Sequence, residues 1–304
     1  MIDIIIPAYN AHDTINKTLL SICLQNIKEL FNVYIVNDFS ENDYHKEIEL
    51  FKNKINIKEL KLEKNSGPGT ARQIGIDNSN GKYIIFIDSN DVFFDPFSIE
   101  NIYNIAKDND ADMVCGMMYE EENGGYFISN NHQGCLHGKI YKREFLEKNK
   151  IKFNDTRSSE DNAFNQLVLL ANPKLLFSND DIYLYKNNKN SITRKDDNYH
   201  LESLKWYAYN MHWAIIEGEK RNFNKRNISF LALDSFGFMF RRYCLENKNN
   251  KIIEWSKDLY KDYLKYESLF YEKEKYEIIY ARFDKYPDIK FKNFLEKFEK
   301  KRQG

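Results

Sequence analysis

A cluster of polar residues directly follows one strongly apolar segment of the chain. The segment Asp88-Ser89-Asn90-Asp91 comes after Tyr83–Ile87, whose composition predicts a strand buried on both faces. Ligands of open α/β sheets bind beyond the carboxyl ends of the strands, and clustered carboxylates repel unless a cation or a donor lies between them. Carboxylate and amide oxygens suit Mg²⁺ or Mn²⁺ bound to a diphosphate. The alternative is that Ser89, Asn90 and Asp91 only form a turn and cap the next helix.

Three earlier segments with strand character also end in residues suited to a nucleotide. Tyr9 can stack on a flat ring, and the carboxylate of Asp38 can accept a hydrogen bond from a base N–H. Gly67 and Gly69 permit a tight turn into a helix whose N-terminus offers N–H groups to an anion, and Arg72 lies one turn further on. The alternative for each is an ordinary strand-to-helix turn with a capping side chain. The spacing matches neither a P-loop nor the dinucleotide glycine fingerprint, so those two nucleotide folds are disfavoured.

These residues need a scaffold that brings the strand ends together. From residue 1 to about 118, strand-like segments alternate with helical periodicity, which predicts βαβ units and a mostly parallel sheet covered on both faces. All four sets of polar residues then lie at one edge of one sheet and form a nucleotide cleft beside a metal site. The predicted strands are Ile2–Ile6, Asn32–Asn37, Ile57–Leu62, Tyr83–Ile87 and Asp112–Met118, and the predicted helices are Asp13–Asn26, Tyr44–Lys54, Gly69–Asn78 and Ser98–Asp108.

After residue 118 the alternation becomes less regular. The polar stretch Lys186–Asn198 predicts a loop, which places a boundary between an α/β domain of residues 1–195 and a second domain of residues 196–304. Between these points we expect an acidic turn at Glu120–Gly125, a short strand at Tyr126–Ser129, helices at Tyr141–Asn149 and Asp161–Leu170, and apolar pairs in Leu175–Phe177 and Ile182–Tyr185.

The region from Tyr199 onward predicts an all-helical domain. Its apolar residues recur three and four apart, and many of them are aromatic. Core packing is the default role of such a stripe, and the alternatives are a carbohydrate-stacking surface, a dimer interface or a membrane-facing patch. We expect a core together with an interface, which makes the domain a candidate for acceptor binding or homo-oligomerisation. The predicted helices are Leu201–Arg221, Ile228–Glu246, Ile252–Tyr263, Ser268–Phe283 and Ile289–Lys301.

The composition disfavours several classes of protein. Lys and Arg number 45 against 46 Asp and Glu, so the overall charge gives no argument for binding a nucleic acid. The four cysteines have no zinc-like spacing and suit a reducing compartment. No segment approaches the length of a membrane span, and Met1–Ile4 predicts a strand rather than a leader. We therefore expect a soluble, cytoplasmic protein, with peripheral docking at the inner membrane face as the alternative.

Taken as an ordered set, the motifs resemble the family-2 glycosyltransferases of GT-A fold. The resemblance implies a nucleotide-sugar donor, usually UDP-linked, and transfer of a hexosyl or N-acetylhexosaminyl group with inversion at the anomeric carbon. It implies Mn²⁺ or Mg²⁺ as cofactor, and a glycan or glycoconjugate acceptor such as a surface polysaccharide or teichoic acid. It covers about residues 1–185 and rests on Pro7–Asn10, Val36–Asp38, Asn65–Arg72, Phe86–Asp91, Gly138–Glu144 and Ser159–Phe164.

The resemblance also implies roles for individual residues. Asp161 is the implied general base, with Glu160 beside it near the acceptor. One departure concerns Asn90, where the family commonly shows an aspartate, because Asn90 offers a carbonyl oxygen but no charge. The residues implied to bind the nucleotide are Pro7, Ala8, Tyr9, Asp38, Gly69, Arg72, Asp88 and Ser89, and those implied to bind the metal are Asp88, Asn90 and Asp91.

Several of these residues have a second explanation. Ser159, Glu160 and Asp161 also fit an N-terminal cap with acidic first-turn residues, although a helix N-terminus would keep Asp161 ionised and able to take a proton. His137 and Lys139 lie in the segment expected to line the acceptor side. There His137 binds a phosphate, the donor sugar or the metal, or else is a structural histidine. For His132, a structural role is the favoured explanation.

Two other functions stay open on the sequence alone. The uncharged Asn90 also fits a nucleotide-binding or scaffolding protein whose metal site has decayed. The acceptor can instead be a protein or a nucleic acid, although a nucleic acid requires clustered Lys and Arg that the near-neutral charge does not indicate.

Overall fold

In the residues that the structure describes, the first part of the chain forms one sheet of nine strands, with the buried apolar segments at its centre. The computed structural model describes residues 1–122, 125–129, 134–186, 199–280 and 288–299, and the chain divides into two units, residues 1–191 and 192–304. The predicted loop at 187–198, with the expected domain boundary, lies outside the described residues, and so does His132. The strands are β1 (Ile2–Ala8), β2 (Phe31–Asn37), β3 (Asn56–Lys61), β4 (Tyr83–Phe86), β5 (Val92–Phe93), β6 (Met113–Glu122), β7 (Gly125–Ser129), β8 (Lys139–Lys142) and β9 (Leu175–Tyr185).

The N-terminal half of the sheet is parallel, as the alternating pattern predicts. β1 pairs in parallel with both β2 and β4, and β2 pairs in parallel with β3. Every residue of β1 is buried, as expected for a central strand with helices on both faces. The carboxyl ends of these strands therefore meet at one edge of the sheet. The helices of this unit are α1 (Ile15–Cys23), α2 (His45–Phe51), α3 (Pro68–Asp77), α4 (Ser98–Asp108), α5 (Arg143–Lys148) and α6 (Glu160–Leu170).

The other half of the sheet mixes parallel and antiparallel pairs. The strand order is β3-β2-β1-β4-β8-β6-β9-β5, with β7 paired to β6. β8 lies between β4 and β6 and runs antiparallel to both, whereas β6 and β9 are parallel. The predicted α/β fold class, a sheet flanked by helices and followed by a helical region, is confirmed.

One strand replaces the two apolar pairs predicted near residue 180. Leu175–Phe177 and Ile182–Tyr185 both belong to β9, because the polar residues between them have bonded partners. The hydroxyl of Ser98 donates to the Asp181 carbonyl oxygen over 2.8 Å, and the hydroxyl of Tyr119 donates to Asp181 Oδ1 over 2.7 Å. Hydrogen bonding of this kind lets a polar segment continue a strand that periodicity alone would interrupt.

Two other predicted boundaries differ from those in the structure, because strand pairing extends into the segments concerned. The predicted acidic turn at Glu120–Gly125 is wrong for its first residues. Glu120–Glu122 belong to β6, which pairs with β7. Within this acidic segment of β6, the carboxylate of Glu121 is compensated by Lys186, whose Nζ lies 2.7 Å from Glu121 Oε1. The helix predicted from Tyr141 begins at Arg143, because Tyr141 belongs to β8 and pairs with β4.

The second unit consists of helices in the residues that the structure describes. The predicted helix Ile252–Tyr263 is interrupted at Ser256, whose hydroxyl donates to the Ile252 carbonyl oxygen over 2.6 Å. Phe236 and Phe240, two residues of the predicted aromatic stripe, are at most 1% exposed, so core packing is confirmed for them, whereas Tyr209 of the same stripe is 52% exposed. None of the described helices is both long and apolar enough to cross a membrane. The helices are α7 (Tyr199–Lys220), α8 (Lys225–Leu245), α9 (Asn250–Trp255), α10 (Lys257–Tyr266), α11 (Glu272–Ile279) and α12 (Asp288–Glu299).

Candidate active site

The end of β1 combines buried backbone with one exposed ring. Pro7 and Ala8 are buried in the strand, whereas Tyr9 is 53% exposed. The Asp38 backbone N–H donates to the Ala8 carbonyl oxygen over 2.8 Å, which fixes the end of β2 beside the end of β1. A planar ligand at this edge can therefore stack on Tyr9 while its polar rim meets adjacent backbone groups.

The carboxylate of Asp38 organises the loop that precedes α3. It is 4% exposed and accepts the backbone N–H of Ser66 over 2.7 Å and that of Gly67 over 2.8 Å. Gly67 has φ 89°, in the left-handed region that favours glycine. Since each carboxylate oxygen has a second lone pair, Asp38 can hold this loop and still accept a base N–H.

Gly69 is required by packing between two helix starts. A Cβ at this position would lie 2.7 Å from Glu160 Cγ and 2.9 Å from the Asn154 carbonyl oxygen. Contacts this short do not occur between real side chains, so glycine is what lets the start of α3 approach the start of α6. This packing role is observed directly, whereas its predicted contact with a nucleotide stays a prediction.

Arg72 forms a buried bridge between two carboxylates. One terminal nitrogen donates to Asp88 Oδ1 and the other to Glu160 Oε1, each over 2.7 Å, and the side chain is 6% exposed. Burial alone would lower the pKa of Arg72, but the charges of Asp88, Glu160 and Asp161 outweigh it and raise the pKa above its usual value. Arg72 thus couples the end of β4 to the start of α6, instead of facing open solvent.

A second cluster of titratable groups lies beside that bridge. Asp88, Asp91 and His137 each offer one ligand atom within 4.8 Å of the others. His137 Nε2 lies 3.4 Å from Asp88 Oδ2, and its ring packs 4.7 Å from the ring of Tyr183, centroid to centroid. The hydroxyl of Tyr183 donates to Asp91 Oδ2 over 2.6 Å. Two carboxylates and one imidazole therefore converge on one point.

The charges in this cluster depend strongly on one another. Burial would raise the pKa of Asp88, but Arg72 and His137 outweigh it and hold that pKa well below its usual range. Burial raises the pKa of Asp91 to about 7, with the charge of Asp88 adding to the effect. Burial would lower the pKa of His137, but hydrogen bonds with Asp88 and Cys135 raise it well above its ordinary value.

The donor set of the cluster fits a divalent cation. The two carboxylates supply oxygen ligands that suit Mg²⁺ and Mn²⁺, and His137 adds an imidazole nitrogen, a ligand common to several divalent transition metals. The side-chain N–H of Asn90 donates to Asp91 Oδ1 over 3.1 Å. The side-chain carbonyl oxygen of Asn90 is the atom that could bind a cation, and it carries no charge. Ser89 is partly exposed beside this site. His137 offers a third ligand atom beside Asp88 and Asp91, and the predicted metal contact of Asn90 stays a prediction.

Glu160 and Asp161 differ sharply in access at the start of α6. Glu160 is 5% exposed and bound to Arg72, and burial together with the charge of Asp161 raises the pKa of Glu160 to about 7. Asp161 is partly exposed, and its Oδ1 accepts the backbone N–H of Asn162 over 2.8 Å. Ser159, just before the helix, has φ 60°, an unusual left-handed conformation for serine. Asp161 is therefore the carboxylate of this pair that an external hydroxyl can reach.

Lys139 is buried beside the cluster. It is 2% exposed, and its Nζ donates to the Cys135 carbonyl oxygen over 2.6 Å. The side chain of Asn165 also donates to this carbonyl, and Tyr141 donates to Asn165 Oδ1 over 2.6 Å. These bonds hold the backbone two residues before His137, and the predicted donor or acceptor contact of Lys139 stays a prediction.

Sequence reasoning missed Tyr183. Its hydroxyl bonds to Asp91, as described above, and accepts the backbone N–H of Asp88 over 3.2 Å. Because Ile182–Tyr185 looks like an ordinary apolar strand segment, nothing in the pattern separates Tyr183 from a core residue. The antiparallel pairing of β9 with β5, in which Tyr183 lies opposite Phe93, brings this strand beside Asp91.

Known proteins share both the sequence pattern and the fold. Residues 3–166 match the family described as Glycosyl transferase family 2. The chain is 27% identical over 223 residues to "Glycosyltransferase GlyA" of Streptococcus pneumoniae, covering 64% of this chain and 31% of that protein. It is 27% identical over 192 residues to "Poly(ribitol-phosphate) beta-N-acetylglucosaminyltransferase TarP" of Staphylococcus aureus, covering 57% of this chain and 58% of that protein. The chain thus matches about a third of one relative and just over half of the other.

Among solved structures, the fold is similar to that of another S. aureus protein. The structure described as "TarS 1-349 in complex with UDP-GlcNAc" aligns with a TM-score of 0.74 at 20% identity, covering 100% of this chain and 92% of that one. At this level of identity the similarity establishes a shared fold. The family match covers more than half of the 304 residues and includes the ends of β1, β2 and β4, Arg72 and the Glu160–Asp161 pair. The chain therefore belongs to glycosyl transferase family 2.

Proposed function

We propose that this protein transfers a sugar from a UDP-linked donor to a hydroxyl of a glycan or glycoconjugate, with inversion at the anomeric carbon. The Arg72 bridge carries the proposal, because it joins the Asp88 end of the carboxylate cluster to the helix start that bears Asp161. A donor phosphate near Asp88 and an acceptor hydroxyl near Asp161 would then share one continuous site.

In this proposal the donor base lies at the ends of β1 and β2. The exposed ring of Tyr9 stacks on the base, and Asp38 accepts one of its N–H groups while holding the loop before α3. The ribose and diphosphate extend toward Asp88 and Ser89 at the end of β4. Arg72 acts there through Asp88, by keeping the Asp88 carboxylate ionised and fixed in direction.

A divalent cation is the proposed cofactor, held by Asp88, Asp91 and His137. When bound, it would supply positive charge to the leaving diphosphate. The chain itself prepares this position, since Tyr183 and the Lys186 backbone N–H both donate to Asp91 and fix its carboxylate. Mn²⁺ is the proposed ion because two of the three ligands are carboxylates and Mn²⁺ is a transition metal that carboxylate ligands suit.

Asp161 is the proposed general base. As the acceptor oxygen forms its bond to the anomeric carbon, the bond from that carbon to the diphosphate oxygen breaks and UDP leaves. The acceptor hydroxyl proton passes to the Asp161 carboxylate, which is partly exposed and lies in the first turn of α6. Glu160 acts as a positioning residue through Arg72, since it is buried and has no route to the acceptor.

The acceptor is proposed to be a polyol-phosphate polymer, and the donor UDP-N-acetylglucosamine or UDP-glucose. Support comes from the relatives, which include "Poly(ribitol-phosphate) beta-glucosyltransferase" of Bacillus spizizenii, 29% identical over 202 residues. A second candidate function, nucleotide binding without transfer, is favoured by one observation: Asn90 brings no charge to the cation site. The two differ in turnover, because both bind UDP but only the enzyme transfers sugar.

The test is transfer from UDP-N-acetylglucosamine or UDP-glucose to poly(ribitol phosphate) in the presence of Mn²⁺, measured as UDP release and sugar incorporation. Asp161→Asn should reduce transfer by roughly 10²-fold or more, the usual contribution of a general base, while leaving UDP affinity unchanged. The matched control is Asp155→Asn, an exposed aspartate just before the same helix, which should keep full activity. Undiminished transfer by Asp161→Asn would refute the assignment of the base. UDP binding without transfer would favour the second candidate.

A further inference from the structure

Phe39 combines an exposed ring with an unfavourable backbone. It is 52% exposed and has φ 66°, a left-handed conformation that glycine and asparagine adopt far more readily than a bulky residue. Such conformations persist where the surrounding structure imposes them, and they cluster at ligand-binding positions. An exposed apolar ring on a residue with an unfavourable backbone conformation therefore suggests that Phe39 contacts a ligand.

The turn that carries Phe39 is held rigidly on both sides. The Ser40 backbone N–H donates to Asn37 Oδ1 over 2.8 Å, and the Asn10 backbone N–H donates to Ser40 Oγ over 2.9 Å. The Glu41 backbone N–H donates to Asn10 Oδ1 over 3.0 Å. These bonds tie the loop after β2 to the loop after β1. The ring of Phe39 is therefore presented to solvent in a fixed position.

A second exposed ring follows the neighbouring strand. β1 and β2 pair in parallel up to Ala8 and Asn37, so Tyr9 and Phe39 emerge from adjacent strand ends. Tyr9 is 53% exposed, and neither ring packs against another aromatic ring of the residues that the structure describes. Between them in the chain lies the buried Asp38, whose carboxylate holds the loop before α3. Two exposed rings and a carboxylate at neighbouring strand ends suit a flat heteroaromatic group with N–H donors.

We propose that Phe39 is a second aromatic contact for the base of the donor nucleotide, acting together with Tyr9. This inference rests on the proposed function and adds a residue that the motifs did not single out. Because every base has an aromatic face, stacking on Phe39 raises affinity for the base without selecting which base is bound. The diphosphate binds elsewhere in the site and does not depend on this ring.

The test is calorimetric titration of UDP, and of pyrophosphate with Mn²⁺, into the full chain and into Phe39→Asn. Asparagine tolerates the left-handed backbone and removes the ring. We expect the Kd for UDP to weaken by at least about five-fold, as for loss of one base–aromatic stack. The Kd for pyrophosphate should stay unchanged, and the urea midpoint should stay equal or rise. Phe39→Tyr should restore UDP affinity, and the control Phe97→Asn, at a ring 47% exposed in the same unit, should leave it unaltered.

Each outcome separates the inference from the function on which it rests. UDP binding by the unaltered chain together with an unchanged Kd in Phe39→Asn would overturn the inference and assign the ring to contact with another macromolecule. Equal weakening of UDP and pyrophosphate would also overturn it, because the ring would then act on the whole site. Absence of any nucleotide binding by the unaltered chain would overturn both the inference and the proposed function.

Discussion

The Arg72 bridge leads to a quantitative prediction for stability. Arg72→Met keeps most of the side-chain volume but leaves Asp88 and Glu160 without the cation between them. Removing one partner of a buried ion pair costs about 3–5 kcal/mol, so the free energy of unfolding should fall by that amount. Adding Glu160→Gln to this variant should recover about 1–3 kcal/mol, because it removes one uncompensated carboxylate.

The same perturbation should depend on pH. The pKa of Glu160 is already raised to about 7 with Arg72 in place, and it rises further once that charge is gone. A carboxyl group whose pKa is raised by folding loses stability as the pH increases from its ordinary value toward the raised one. The cost of Arg72→Met should therefore be larger at pH 8 than at pH 6, and the double variant should lose this difference.

Urea denaturation followed by far-UV circular dichroism measures these changes. The three tryptophans all lie in the helical unit, so their fluorescence reports on that unit separately (Trp206, Trp213 and Trp255). The control is Arg226→Met, which removes an exposed 2.7 Å pair with Glu274, a hydrogen bond to the Leu269 carbonyl oxygen and a contact with the Phe270 ring, and should cost less than Arg72→Met because no buried charge is left uncompensated. A loss of less than about 1 kcal/mol for Arg72→Met, or no recovery in the double variant, would refute the view that Arg72 compensates buried charge.

Two further predictions concern histidines. His137→Ala should raise the Mn²⁺ concentration needed for half-maximal UDP binding by at least about ten-fold, which a titration of Mn²⁺ at fixed UDP will measure; an unchanged requirement would place the cation elsewhere. In the helical unit, the 2.7 Å hydrogen bond between His212 Nδ1 and Asp262 raises the pKa of His212, so its stabilisation is complete below pH 6.5 and is lost as the pH rises through the raised pKa. The urea midpoint of His212→Gln should be lower than that of the unaltered chain at pH 6 and should approach it at pH 9; a gap that does not narrow would contradict this.

The strand ends were predictable because chemistry and periodicity agree there. The alternation of strand-like and helical segments predicts that β1 to β4 run parallel in one sheet. The polar residues that follow these strands must then lie at one edge of the sheet. The sequence could not show that Arg72 and Glu160, 88 residues apart, would bond to each other. The predicted nucleotide contact of Arg72 and the predicted acceptor-side place of Glu160 stay predictions, but the buried bridge between the two residues was not predicted.

The antiparallel half of the sheet was less predictable for a physical reason. β8 has only four residues and β5 only two, too few for a period to emerge. Two donors to Asp91 are Tyr183 on β9 and the backbone N–H of Lys186 directly after it, and pattern alone divides that strand in two. His137 was recognised as a candidate, but its proximity to Asp88 and Asp91 depends on the buried Lys139 that anchors its backbone.

The place of β8 in the sheet constrains the order in which the chain can fold. One edge of β4 pairs with β1 and the other pairs with β8, which follows it in the chain by about fifty residues. The opposite edge of β8 pairs with β6. Until that later segment is synthesised, a fully buried strand keeps an open edge, the kind of surface at which incomplete chains associate. Insertion of β8 closes the gap from both sides in one step. We therefore expect the Asp88 end and the His137 end of the cluster to become ordered together during folding, with equal protection of both segments in hydrogen exchange.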